Sequence, residues 1–163
     1  MARIVNLQEL KTFLPRGNKG RIVLTGGCFD ILHVGHVRFL SEAKKMGDYL
    51  VVLLENDKNV KKLKGENRPV FIQKERAEML SALGSVDLVV LLPMMENDCD
   101  YLNLVMKIKP DIIAATENDP HIEKKRELHR EVWSMSSLAI VSGLPGRGLC
   151  LYPCPGGTRS FCR

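Results

Sequence analysis

Short apolar runs that alternate with stretches of helical period constrain this chain more than any other feature. The runs are Ile22 to Thr25, Tyr49 to Leu54, Leu88 to Leu92, Ile112 to Ala115 and Leu138 to Val141. Apolar spacing of three and four residues predicts helices between them, over about 34–46, 73–83, 101–108 and 121–133, after a short helix near 7–14. Parallel strands need crossovers long enough to hold a helix, and right-handed crossovers lay those helices on the sheet. The expected class is therefore α/β, an open, mostly parallel sheet with helices on both faces.

That arrangement is Rossmann-like, and in it ligands bind outside the carboxyl ends of the strands where strand order reverses. Three polar segments follow the strand candidates and emerge at that same edge: Gly26 to His36, Glu55-Asn56-Asp57, and Thr116-Glu117-Asn118-Asp119. Glu55 and Glu117 also suit plain loop positions, the usual fate of such residues.

The first segment, Gly26-Gly27-Cys28-Phe29-Asp30-Ile31-Leu32-His33-Val34-Gly35-His36, runs from a strand into a helix whose first turn carries His36. Backbone N–H groups at a helix start lack internal partners and favour a bound anion. Glycine at 26, 27 and 35 lets the main chain approach a phosphate that a Cβ would obstruct. The two imidazoles can then donate hydrogen bonds to its oxygens. Phosphate chemistry fits this turn better than two unrelated surface histidines.

A chain of 163 residues with 45% apolar content supports one buried core and not two ordinary domains. The expected domain covers 1–142, with 1–20 as an N-terminal helix and turn. No window approaches 18 consecutive apolar residues, and the N-terminus mixes Arg3, Glu9 and Lys11 into an amphipathic pattern, so the expectation is a cytoplasmic protein without a membrane partner. The net charge of +5 includes Arg147, Arg159 and Arg163 in a final stretch that holds no acid; without those three it is about +2. With 6% aromatics and no basic-aromatic interleaving, a nucleic-acid partner is not indicated. Five cysteines, an odd number, argue against structural disulfides, and Cys150, Cys154 and Cys162 lack the paired spacing of a zinc site.

The run from Gly27 to His36, with Leu40, Ala43-Lys44 and Gly47-Asp48 behind it, resembles the HxGH nucleotidyltransferase superfamily. That cytidylyltransferase-like group includes glycerol-3-phosphate, choline-phosphate and ethanolamine-phosphate cytidylyltransferases and the adenylyltransferase of ADP-heptose synthesis. A second block, Lys61-Lys62-Leu63-Lys64-Gly65 with Arg68-Pro69-Val70 and Glu75-Arg76, is most similar to the heptose-phosphate adenylyltransferase branch. The matches cover roughly residues 20 to 120. Class I aminoacyl-tRNA synthetases share the short motif, but this chain lacks their Lys-Met-Ser-Lys-Ser loop.

The resemblance implies transfer of AMP or CMP from ATP or CTP to a phosphorylated sugar or polyol, with release of pyrophosphate and with Mg2+ as cofactor. The acceptor phosphate is itself the nucleophile, so catalysis consists of alignment and charge stabilisation. On this reading His33, His36, Lys64 and Arg76 are the catalytic residues. Lys61 and Lys64 neutralise phosphate charge from a mobile loop, and Arg76 reaches a phosphate with its guanidinium fork. Gly26, Gly27, Cys28, Phe29, Gly35, Lys61, Thr116, Asn118 and Asp119 hold the nucleotide. Asp30, which could also assist Mg2+, and Asp57 face the substrate, and no protein-held metal is expected. Many such relatives are homodimers, and Met94 and Met95 suit either an interface or the core. A different class, a catalytically impaired nucleotide-binding or regulatory protein of the same fold, fits the same turn. Residues 143–163 read as an irregular tail lacking the Ser-Thr turn and final helix that the resemblance implies there.

Overall fold

A computed structural model describes residues 1–15, 20–116 and 137–141. Six strands form one sheet: β1 (Arg3–Asn6), β2 (Ile22–Gly27), β3 (Tyr49–Leu54), β4 (Leu88–Leu91), β5 (Ile112–Thr116) and β6 (Ser137–Val141). Their order is β1-β4-β3-β2-β5-β6, and every pairing is parallel. The five described helices are α1 (Leu10–Phe13), α2 (Val34–Lys45), α3 (Asp57–Lys64), α4 (Gln73–Ser81) and α5 (Asp98–Ile108).

Handedness assigns the helices to faces. The crossovers β2 to β3 and β3 to β4 step toward one edge, whereas β1 to β2 and β4 to β5 step toward the other, so right-handed connections put the two sets on opposite faces. The core divides accordingly. On one face Leu50, Val52 and Leu54 pack with Phe39, Leu40 and Ala43 of α2 and Ala77 and Leu80 of α4. On the other, Val51 and Leu53 pack with Leu10 of α1 and Tyr101, Leu104, Val105 and Ile108 of α5. Strands buried on both faces carry near-continuous apolar sequence, as β3 does. Each large aliphatic side chain removed from water in this way contributes about 1.5–3 kcal/mol. Met95 belongs to the second core face and Met94 is exposed.

Strand order reverses at β2. It pairs with β3 along its whole length, from Ile22 opposite Tyr49 to Gly27 opposite Leu54, but with β5 only at Val23–Ile112 and Leu24–Ile113. Beyond Leu24 the β2–β5 pairing stops, which opens the sheet at the switch point where such folds bind ligands.

Three expectations need correction. The N-terminal segment contributes an edge strand, β1, before its helix; Val5 is buried and Arg3 and Asn6 pair with Leu88 and Leu91 of β4. Lys61 and Lys64, expected on a mobile loop, lie on α3, because the Asn56 side chain caps the Asn59 N–H and Val60 is buried beneath the helix. Cys99 is disulfide-bonded, whereas Cys28 is a buried cysteine outside any disulfide. An odd count leaves one cysteine over but does not forbid a pair. The helix expected over 121–133 and the tail over 143–163 lie outside the described residues. No helix among the described residues is long and apolar enough to cross a membrane.

Candidate active site at the β2–β5 switch point

The turn from β2 to α2 is fixed by its own imidazoles. His33 is the N-cap of α2, and its Nδ1 accepts the Gly35 N–H at 3.1 Å; the His33 N–H donates to His36 Nδ1 at 3.3 Å. Each Nδ1 therefore acts as an acceptor, which assigns the proton of a neutral ring to Nε2 in both residues. His33 is exposed and His36 buried, with ring centroids 3.9 Å apart. The Phe29 ring lies 5.3 Å from His36 and covers it on the core side.

Electrostatics keep His36 uncharged. Burial is the main cause of its pKa falling from 6.5 to about 4, and the His33 ring and the Lys64 ammonium lower it further. That influence also places Lys64, the exposed last residue of α3, in the neighbourhood of the histidine turn. At neutral pH His36 is thus an uncharged N–H donor within the electrostatic influence of a cation.

Arg76 performs a different task from the one its sequence suggests. It is fully buried on α4, and its guanidinium serves the protein: Nε donates to the Phe71 carbonyl at 3.0 Å, Nη1 to the Cys28 carbonyl, and Nη2 to the Glu55 carbonyl at 2.8 Å and Asp57 Oδ1 at 2.7 Å. A fork committed to four acceptors without solvent access does not reach a phosphate. It instead ties the ends of β2 and β3 to α4. Because the C=O and N–H of a trans peptide point in opposite directions, the Cys28 carbonyl held by Arg76 leaves the Phe29 N–H facing away from the buried guanidinium. Phe29 itself has φ +43°, a left-handed conformation that costs a non-glycine residue about 1–2 kcal/mol and that its buried ring and this clamp maintain.

Asp30 is likewise engaged on both oxygens. Oδ2 accepts from Arg68 Nη1 at 2.6 Å and Oδ1 from the Val70 N–H at 2.7 Å, with the carboxylate almost wholly buried. It anchors the 65–72 loop to the turn and is not placed to face a substrate. Asp57 is half-exposed and gives one oxygen to Arg76. Lys61 pairs with Glu66 at 2.5 Å on the exposed side of α3, and of the two lysines Lys64 is the one whose charge acts on His36.

Gly26, Gly27, Cys28 and Phe29 line the buried end of β2 and its turn, and Gly35 is buried in the first turn of α2. Thr116 ends β5. Among the described residues, its hydroxyl and that of Thr25 are buried without a hydrogen-bond partner. The two-residue period of a strand puts Thr25 on the face of Val23 and Thr116 on the face of Ala114, and both of those belong to the α2 side of the core. Two orphaned hydroxyls thus flank the open part of the β2–β5 junction. Sequence reasoning passed over Thr25, although a hydroxyl inside the run Ile-Val-Leu-Thr was a signal. Asn118 and Asp119 lie outside the described residues.

A family model described as cytidylyltransferase-like matches residues 24–142. The chain belongs to the cytidylyltransferase-like family. It is 47% identical over 112 residues to the bifunctional protein HldE of Campylobacter concisus and 50% identical over 112 residues to that of Campylobacter fetus subsp. fetus. Each match covers 69% of this chain and 23% of the relative, so the aligned region spans about a quarter of those proteins. Among solved structures, a lipopolysaccharide core biosynthesis protein from Thermoplasma volcanium is 29% identical with a TM-score of 0.63, covering 76% of this chain and 97% of that one. A pantoate-β-alanine ligase from Francisella tularensis shares the fold at 14% identity, with a TM-score of 0.62 over 86% of this chain and 67% of its own. The matched region, residues 24–142, includes the β2–α2 turn and the open part of the β2–β5 junction.

Proposed function

We propose that the chain binds ATP or CTP with the phosphates on the β2–α2 turn and transfers AMP or CMP to a phosphorylated sugar or polyol, releasing pyrophosphate. The observation that carries this reading is the pair of Nδ1 atoms occupied by backbone N–H groups. Both histidines keep an Nε2–H for phosphate oxygens, and donors of fixed orientation stabilise charge that develops on the α-phosphoryl group and departing pyrophosphate. Lys64 adds a cation beside them. The acceptor's phosphate attacks the α-phosphorus while the bond to pyrophosphate breaks, so the site has to align two anions and needs no protein nucleophile.

A triphosphate ordinarily carries Mg2+, whose octahedral shell it fills together with water. Among the described residues no three His, Cys, Asp or Glu side chains gather as a metal cage, and Asp30 is committed to Arg68 and Val70. On this reading Mg2+ enters with the nucleotide, and no step is assigned to a protein-held ion.

The test is pyrophosphate release by the purified protein with Mg2+, ATP or CTP in turn, and a panel of sugar and polyol phosphates. Release that requires one nucleotide and one acceptor establishes the reaction and names both substrates. Nucleotide binding without release under every pairing overturns it in favour of a non-catalytic nucleotide-binding protein.

A further inference from the structure

Glu55 is the buried ionisable group that the proposed chemistry leaves unused. It follows β3, and it is fully enclosed on the α5 side of the sheet. Its Oε1 accepts the Tyr101 hydroxyl of α5 at 2.7 Å, and its Oε2 accepts Asn59 Nδ2 of α3 at 3.1 Å. Its backbone N–H donates to the Gly27 carbonyl at 3.1 Å, and its carbonyl accepts from Arg76 at 2.8 Å. One residue is thereby bonded to the phosphate turn, the Arg76 clamp, α5 and the helix that carries Lys64.

We propose that Glu55 is a positioning residue that sets the place of Lys64 by docking α3 through Asn59. This rests on the reading of Lys64 as a triphosphate contact. An isolated helix of eight residues is not stable in water, so tertiary anchors decide where α3 lies. Only Asn59 and Val60 of that helix are buried. Val60 supplies apolar contact, which has no direction and tolerates sliding and rotation. The Asn59 amide supplies direction: it bonds Glu55 and makes longer contacts, 3.4 Å each, with the Met95 carbonyl and the Tyr101 hydroxyl. Asp57 ties the first residue of α3 to Arg76 at 2.7 Å, but the last turn holds three lysines, and Asn59 is the one buried polar side chain of the helix to fix the azimuth that those turns take. Burial raises the Glu55 pKa, against the Tyr101 and Asn59 hydrogen bonds, so a carboxyl is costly at this place. An apolar side chain would fill it at lower cost and leave the Asn59 amide without its shortest partner.

The experiment is a double-mutant cycle read by calorimetric binding of inorganic tripolyphosphate, a probe that is blind to base and acceptor identity. Lys64→Ala alone is expected to weaken binding by about tenfold. Glu55→Leu is expected to weaken it by about fivefold when Lys64 is present and by less than about twofold in the Lys64→Ala background, because coupled residues are not additive. Glu55→Gln, which can still accept from one neighbour and donate to the Tyr101 oxygen, should restore most of the affinity. A helix that only needed the carboxyl for stability would lose binding equally in both backgrounds, and that additive result overturns the proposal. An inert Lys64→Ala overturns it by a different route, since the phosphate reading of Lys64 would then fail. If Glu55→Leu does not fold, Tyr101→Phe removes one donor to the carboxylate and enters the same cycle; additivity there overturns the proposal equally.

Discussion

His33 and His36 are held with their rings 3.9 Å apart, and each Nδ1 accepts a main-chain N–H of the turn that the two residues bracket. The pair is at once the cap of α2 and, by elimination, a pair of Nε2–H donors. Those two duties can be separated by substitution. Asparagine places an amide oxygen near the position of Nδ1, and glutamine reaches toward that of Nε2. His36→Asn should therefore retain the fold yet lose about 10²-fold in turnover, whereas His36→Gln should lose less turnover. Steady-state pyrophosphate release and thermal unfolding of both variants check this; equal loss in both would remove the Nε2–H from the mechanism.

The pH dependence follows from the same burial. The His36 pKa lies near 4 in the fold, against 6.5 for the free side chain. The unfolded chain therefore binds the extra proton first. His36 contributes stability that is fully present above about pH 6.5 and is lost as the pH falls through 4. A bound triphosphate brings negative charge to the ring and should raise this pKa, so binding should take up protons in that window. Histidine NMR titration with and without tripolyphosphate measures both effects, and an unchanged midpoint near 6.5 would contradict the enclosure of the ring.

Arg76 gives a prediction of another kind. Its loss leaves the carbonyls of Cys28, Glu55 and Phe71 without their donor, and lysine cannot replace a planar fork that serves them from three nitrogens. Arg76→Lys should destabilise the fold by roughly 3 kcal/mol. Urea unfolding monitors this, and wild-type stability in the variant would restore the phosphate role that the buried geometry denies.

What could be read from the sequence divides along the same physical line. Strands β2 to β5 are legible because apolar runs between turn residues leave few alternatives, and α2 because its period follows a capped start. β1 was hidden by its length, four residues ending in Asn6, and by Arg3, whose guanidinium lies 4.8 Å from the centre of the Phe13 ring. α3 was hidden by composition: Asp-Lys-Asn-Val-Lys-Lys-Leu-Lys has too few apolar residues to show a period, and tertiary hydrogen bonds through Asn59 hold it. The turn from β2 into α2 was legible as structure because its glycines and its capped helix start are local features. Arg76 and Asp30 were misread because a side chain's type announces what it can bind, while its burial decides what it does bind, and burial is a property of contacts between distant segments.

Gly47 tests the packing of α2 against the sheet. A Cβ there would lie 2.6 Å from Val23 Cγ2 and 2.7 Å from the Arg21 carbonyl oxygen. The valine can adjust, but the carbonyl belongs to the backbone where Asp48 and Tyr49 donate to it. Gly47→Ala should cost about 1–3 kcal/mol, read by thermal unfolding. A neutral result would mean that the α2–β3 connection yields more than its hydrogen bonds suggest.

The two orphaned hydroxyls provide the sharpest separation of stability from binding. Thr25 and Thr116 are buried with no partner for Oγ1 among the described residues, and a buried hydroxyl in that state costs roughly 1–3 kcal/mol of desolvation. Valine has nearly the same shape and nothing to satisfy. Thr25→Val and Thr116→Val should therefore leave the free protein equally or more stable, by up to about 1 kcal/mol each. The hydroxyls flank the open β2–β5 junction beside the phosphate turn, so the same changes should weaken nucleotide binding by about tenfold if a ligand supplies the missing partner. Inorganic tripolyphosphate, which lacks the nucleoside, distinguishes the moiety. Affinity lost for ATP or CTP but kept for tripolyphosphate assigns the hydroxyls to the nucleoside; loss for both assigns them to the phosphates. Destabilisation of the unliganded variants would show instead that each hydroxyl is already satisfied within the fold.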